Sequence, residues 1–279
     1  MHRTPAPELA AALLCAAFLL PARAAEPPSF QQDVEPLLTR LGCNAGACHG
    51  KGAGQNGFRL SLRGYAPELD HYWITREFSG RRIDAAVPEN SLLLRKPLGL
   101  APHEGGKLIT NGSREHRLLL DWLRAGAPGP AKDEPTVRRL EVQPGRRPLR
   151  VGDTVQLSVF AEYTDGRRRD VTWLARFDSN DAAVADVDPF GKVRVLRPGE
   201  TAVRASFQTL VAVAVVTVPY SNPVPAERFA GKNNFIDDHV FAKLAALRIE
   251  PSDLCEDATF LRRAFLDTIG TLPTAAEVR

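Results

Sequence analysis

Between residues 136 and 218 apolar and polar positions alternate with a period of two, and on both sides the period lengthens to that of a helix. In the middle block Val155, Leu157, Val159, Ala161 and Tyr163 alternate with Gln156, Ser158 and Glu162. Further strands are predicted at 137–142, 171–173, 183–187, 193–196, 201–206 and 212–218. Asp165-Gly166 marks a tight turn, and Gly191 and Gly199 mark others. Seven short strands over residues 136–219 predict an all-β, immunoglobulin-like sandwich.

Ahead of that block, residues 26–130 predict an all-α domain. Ser29 precedes an apolar-periodic run and has Gln32 three positions on, a capping-box pattern for a helix reaching about Leu41 and bent by Pro36. A second helix follows Ser113, with Leu119, Trp122 and Leu123 on one face and Gly126 as its stop. The segment between is rich in glycine. Past the block, residues 229–279 predict an incomplete helical domain. Ile236, Val240, Leu244 and Leu247 line one helix, Phe260, Leu261, Ala264, Phe265 and Ile269 a second, and Thr274 with Glu277 caps the start of a third. A helix start this near Arg279 predicts the N-terminal part of something longer. Proline-containing polar joints at 128–135 and 219–225 separate the three blocks.

The first 24 residues read as an export signal: Arg3, an apolar run at 9–20 too short to span a bilayer, then Ala22-Arg23-Ala24 as a small-x-small cleavage site. The predicted location is therefore the periplasm or the cell surface, with no transmembrane span. A net charge of +3, with basic residues spread along 279 positions, gives no electrostatic footprint for nucleic acid. No nucleophile elbow, P-loop or dinucleotide fingerprint occurs, so no catalytic constellation is assigned.

Export sharpens the meaning of the cysteines left after cleavage: Cys43, Cys48 and Cys255. Cys43-Asn-Ala-Gly-Ala-Cys48-His49 is the one cluster with chemistry. Two thiols followed directly by a histidine suit covalent haem c attachment, Cys43 and Cys48 taking the vinyl groups and His49 the iron. Four residues lie between the thiols where two are usual, so the extra pair must loop outward. A Cys43–Cys48 disulfide and a zinc site built on the same residues are the open alternatives.

Gly42–Tyr65 (GCNAGACHGKGAGQNGFRLSLRGY), with SLLLRKPLGLAPHEGGKL and HRLLLDWLRAGAP, resembles the cytochrome c-like domain of planctomycete-type multidomain surface proteins. The middle block, with VGDTVQLSVFAEYTDG and GKVRVLRPGETAVRA, is similar to a bacterial immunoglobulin-like domain of group 2. The last block resembles the start of a domain of unknown function found in those proteins. The resemblance implies one covalent haem c at Cys43, Cys48 and His49, and an electron-transfer or redox-sensing role with an unidentified redox partner protein. The alternative is a cell-surface structural or adhesive protein, in which Cys43–Cys48 is a disulfide and the sandwich contacts a surface protein or glycan.

The distal iron ligand would be His103, in the loop before the closing helix, because the only methionine is Met1. His116 and His71 are the competing positions. Trp73 and Trp122 are candidates to shield a haem face, though plain core is the commoner use. Asp165, Asp170, Asp178, Asp181, Asp186 and Asp188 lack the spacing of a calcium loop and read as solvated turns. Asp237-Asp238-His239 reads as a helix start suited to the dipole.

Overall fold

A computed structural model describes residues 26–279, so the predicted export signal lies outside the described residues. Among them, no helix is long and apolar enough to cross a membrane. The chain runs through a helical, loop-rich region, a β region and a second helical region.

The Ser29 cap forms, with its Oγ accepting the Gln32 N–H at 2.9 Å. The reciprocal bond comes from Asp33, whose carboxylate accepts the Ser29 N–H. Gln32 instead donates to the Pro135 carbonyl at the joint to the β region. The first turn is a wide one, Phe30–Val34, passing directly into α1 (Glu35–Arg40). Pro36 therefore sits in the first turn of α1, where a missing N–H breaks no helical bond. Three short helices follow, α2 (Pro67–Thr75), α3 (Leu92–Arg95) and the closing α4 (Arg114–Arg124). Ser113 caps α4 as its sequence predicts, and Gly126 ends it at φ +84°. Trp122 is fully buried against Phe30 and donates its indole N–H to the Pro128 carbonyl. With Leu37, Leu38, Ile74, Leu94, Leu119 and Leu123 it forms the core of this region.

The β region holds ten strands where seven segments are predicted: β1 (Val137–Gln143), β2 (Arg146–Pro148), β3 (Thr154–Gln156), β4 (Ser158–Tyr163), β5 (Arg168–Asp170), β6 (Arg176–Ser179), β7 (Ala185–Val187), β8 (Lys192–Val195), β9 (Gly199–Phe207) and β10 (Leu210–Val218). They pair in the orders β1-β4-β5, β2-β10-β9-β6 and β3-β8-β7. The run at 155–163 divides at Leu157, whose N–H bonds to the Gly191 carbonyl, so that β3 pairs with β8 while β4 pairs with β1 and β5. Alternation alone could not show this break, because the side chains keep their period through it. The strand predicted at 171–173 is a turn. Asp170 accepts the Thr172 N–H, Leu174 and Ala175 both donate to the Val171 carbonyl, and the strands lie on either side. Val159, Ala161, Tyr163, Val193, Val203 and Ala205 are fully buried, which is the predicted inward face.

The last region comprises α5 (Phe235–Leu247), α6 (Asp257–Ile269) and α7 (Ala275–Val278). Asn234 and Asp237 form a full capping box on α5, and Thr274 and Glu277 another on α7. The apolar stripes exist but are uncovered: Ile236, Val240, Phe260 and Ile269 are all exposed. Only Leu247 is buried, where Tyr220 donates its N–H to the Leu247 carbonyl.

Candidate functional site

The wide turn and α1 deliver the chain into a tight cysteine loop. Cys43 N–H bonds back to the Leu38 carbonyl, Cys48 N–H to Ala45, and His49 N–H to the Cys43 carbonyl. Gly50 closes the loop against the Asn44 backbone, where a Cβ would stand 2.1 Å from the carbonyl oxygen. Any side chain at Gly50 would push the loop open. Both thiols are free, and they border a cavity of about 730 Å³. Leu38, Leu41, Phe58, Leu60, Leu93 and Leu119 supply its apolar wall, while Arg81, Arg82 and Lys96 stand among its polar lining.

All four residues singled out for the cluster come together here. Cys43, Cys48, His49 and His103 line the same cavity although His103 is 54 positions from His49 in sequence. The imidazoles of His49 and His103 face one another with ring centres 6.4 Å apart and planes within 7°. His49 Nδ1 bonds to the Phe58 carbonyl at 2.9 Å, and His103 Nδ1 lies 3.3 Å from the Gly106 carbonyl. Each ring is thereby oriented by a backbone carbonyl at Nδ1. Burial holds His49 below the usual imidazole range, partly offset by the Phe58 carbonyl, and the charges of His103, Lys96 and Arg82 push the same way as burial. Burial and the neighbouring Cys48 push the Cys43 thiol up to about 12. Cys43 is thus a protonated thiol at neutral pH.

The competing histidines lie elsewhere. His71 packs edge-on against Phe30 and Trp122 and bonds to the Ala127 carbonyl, as a packing residue. His116 sits in the first turn of α4 and accepts the Gly112 N–H. Trp122 is core, and Trp73 lies under the Arg59 guanidinium 4.6 Å from its ring centre, so neither tryptophan shields the cavity. The scattered aspartates are turn and ion-pair residues. Asp188 accepts from Phe190 and Lys192, Asp165 pairs with Arg167 and Asp181 with Arg197. Asp237 completes the α5 cap and Asp238 pairs with Lys232. Among the described residues, no group of three or more His, Cys, Asp or Glu is placed to hold a metal ion. Sequence reasoning missed Phe58, whose ring packs 4.5 Å from that of His49 and whose carbonyl orients it, and the buried Glu35–Asn44 pair behind the loop. A lone phenylalanine and a helix-start glutamate carry no signal in one sequence.

Residues 235–279 match the family described as PSCyt2, protein of unknown function (DUF1549). An S-layer-related protein of Niallia circulans is 36% identical over 86 residues, which is 31% of this chain and 5% of that protein. The chain therefore spans a small part of the curated relative it matches. Two solved fragments of the S-layer protein SbsC are similar to it in part. Domains 4 and 5 match at 14% identity over 30% of this chain and 53% of theirs, with a TM-score of 0.26. Domains 5 and 6 match at 16% identity over 33% and 48%, with a TM-score of 0.28. The named relatives are S-layer or S-layer-related proteins. The S-layer-related relative overturns the expectation of an exported cytochrome working in electron transfer or redox sensing, and favours the cell-surface structural alternative. The expectation of an all-α cytochrome c domain followed by a group 2 immunoglobulin-like domain reduces to a coarser statement: a β region flanked by helices, the last of which match the family of unknown function.

Proposed function

We propose that this chain is part of a cell-surface structural protein, with the β region over residues 136–219 as its contact or spacer module. The observation that carries this reading is the 36% identity to an S-layer-related protein. The construction of the module fits the task, since it is held by apolar packing and strand ladders and contains no histidine or cysteine. In an oxidising compartment Cys43 and Cys48 would close their loop as a disulfide, releasing two protons and passing two electrons to the oxidant of that compartment. Deleting residues 136–219 should release the protein from envelope preparations. Retention of the deleted protein at the full level would contradict the proposal.

A second reading concerns only what fills the cavity, and it rests on the facing imidazoles. Cys43, Cys48, His49 and His103 are the residues that would hold one haem c there. The backbone carbonyls on both Nδ1 atoms are the outer partners that such ligands need. When bound, the group would supply an iron centre to the cavity, and the chain's own part is to orient two imidazoles and anchor the ring. Intact mass of the exported, denatured protein separates the readings. A mass short of the two thiol hydrogens marks the disulfide, and a gained haem mass marks the thioethers.

A further inference from the structure

Behind the cysteine loop lies a pair of carboxyl groups that neither reading uses. Glu35 on α1 and Asp70 on α2 are both buried, Asp70 completely, and each carboxyl lies close enough to shift the other's proton affinity. Neither is ion-paired with a cation among the described residues. Asp70 accepts the Ser61 N–H and the Ser61 hydroxyl, each at 2.5 Å, which is the setting of an ionised carboxylate. Glu35 Oε1 accepts from the Asn44 amide at 3.1 Å, and that amide also donates to the Thr39 hydroxyl at 2.7 Å. Glu35 Oε2 is buried with no donor facing it. An oxygen in that position is satisfied only by carrying a proton of its own and donating it. Gly64 closes the pocket from the Ser61 turn: a Cβ there would stand 2.5 Å from Glu35 Oε1, so no side chain fits.

We propose that Glu35 and Asp70 share one proton and act as a clamp, holding the cysteine loop through Asn44 against α1 and α2 and releasing it when that proton is lost. The groups around the pair are Thr39 from α1, Asn44 and the Cys43 thiol from the loop, and Ser61 and Gly64 from the turn before α2. None is cationic, so nothing nearby compensates a second negative charge. Two carboxylates in contact away from water cannot both ionise cheaply. Burial and then the Asp70 charge hold Glu35 well above the usual carboxylate range, while burial raises Asp70 against the pull of Ser61. The sign follows. Above about pH 4.3, where an unfolded glutamate loses its proton, the native state keeps one the unfolded chain has lost. Stability from the clamp is complete below that pH and declines as pH rises toward the folded value.

The test is infrared spectroscopy of the full chain at pH 7, comparing wild type with Glu35→Gln and Asp70→Asn. A protonated-carboxyl band should be present in wild type, absent in Glu35→Gln and retained in Asp70→Asn. The urea midpoint of wild type should fall as pH rises from 5 to 8, and that slope should flatten in Glu35→Gln. Exchange of the loop amides 43–50, corrected for intrinsic rates, should quicken with pH in wild type alone. A wild-type spectrum without the band, a band unchanged by Glu35→Gln, or parallel pH slopes would each overturn the proposal. If Glu35→Gln does not fold, the wild-type band decides: it must bleach with rising pH before the protein unfolds.

Discussion

The helical region before residue 130 and the β region after it are built from different matter. Of the ten buried polar or charged residues among those described, eight (Gln32, Glu35, Thr39, Asn44, Ser61, Asp70, Arg82 and Ser91) belong to the first region. The β region buries only Thr201 and Thr217, one accepting the Asp181 N–H and the other donating to Glu200. Short helices cannot cover a core by themselves, so the first region holds its loops with side-chain hydrogen bonds. Arg82 shows the device: its guanidinium bonds to the Trp73 and Gly57 carbonyls and lies over the Phe58 ring at 4.4 Å. The β region obtains the same order from nine-residue ladders such as β9 with β10. Polar scaffolding is sensitive to protonation and to single donors, whereas ladder packing is sensitive to volume.

The sharpest way to break this contrast is Trp122→Ala. Removing a fully buried indole should cost about 3–5 kcal/mol, melting the first region while the β-type circular dichroism persists. Loss of both signals in one transition would show that the two regions are a single cooperative unit. Leu157→Ala, at the junction of β3 and β4, should cost roughly 2–4 kcal/mol and lower the β transition selectively. Asn44→Ala strips the donor shared by Glu35 and Thr39 and should cost about 1–3 kcal/mol, quickening exchange in the cysteine loop with no change in the β region. Asn234→Ala removes the α5 cap at a cost of about 1 kcal/mol, visible only as increased amide exchange at residues 235–239. Arg169→Ala cuts the part-buried 2.5 Å pair with Asp33 that joins the two regions. It should cost roughly 0.2–1 kcal/mol, read as a small separation of their thermal transitions.

The sequence made legible whatever depends on local period and capping. Ser113, Asn234 and the Thr274–Glu277 box start helices where their side chains place them, and the inward positions of β4 are buried as alternation requires. The convergence of Cys43, Cys48, His49 and His103 was legible too, since loop position and a missing methionine single out His103. The division at Leu157 was not, because a change of partner sheet leaves the alternation intact. Nor was the turn at Val171, whose β-branched neighbours resemble a strand until Asp170 captures the Thr172 N–H. The clamp was hidden for a further reason. Glu35, Asn44, Ser61 and Asp70 meet only in three dimensions, and each alone reads as surface or cap. Function was least legible, since a thiol–thiol–histidine cluster pointed to a redox carrier while the named relatives are surface-layer proteins.

The central claim is that this chain does its work as structure at the cell surface. Labelling intact cells with an amine reagent that cannot cross the envelope tests it most directly, read by mass spectrometry at Lys192 and Lys243, both at least partly open to solvent. Both lysines should be labelled on unbroken cells, Lys243 to the level of the purified protein. Labelling that occurs only after the envelope is breached would place the protein inside it and contradict the claim.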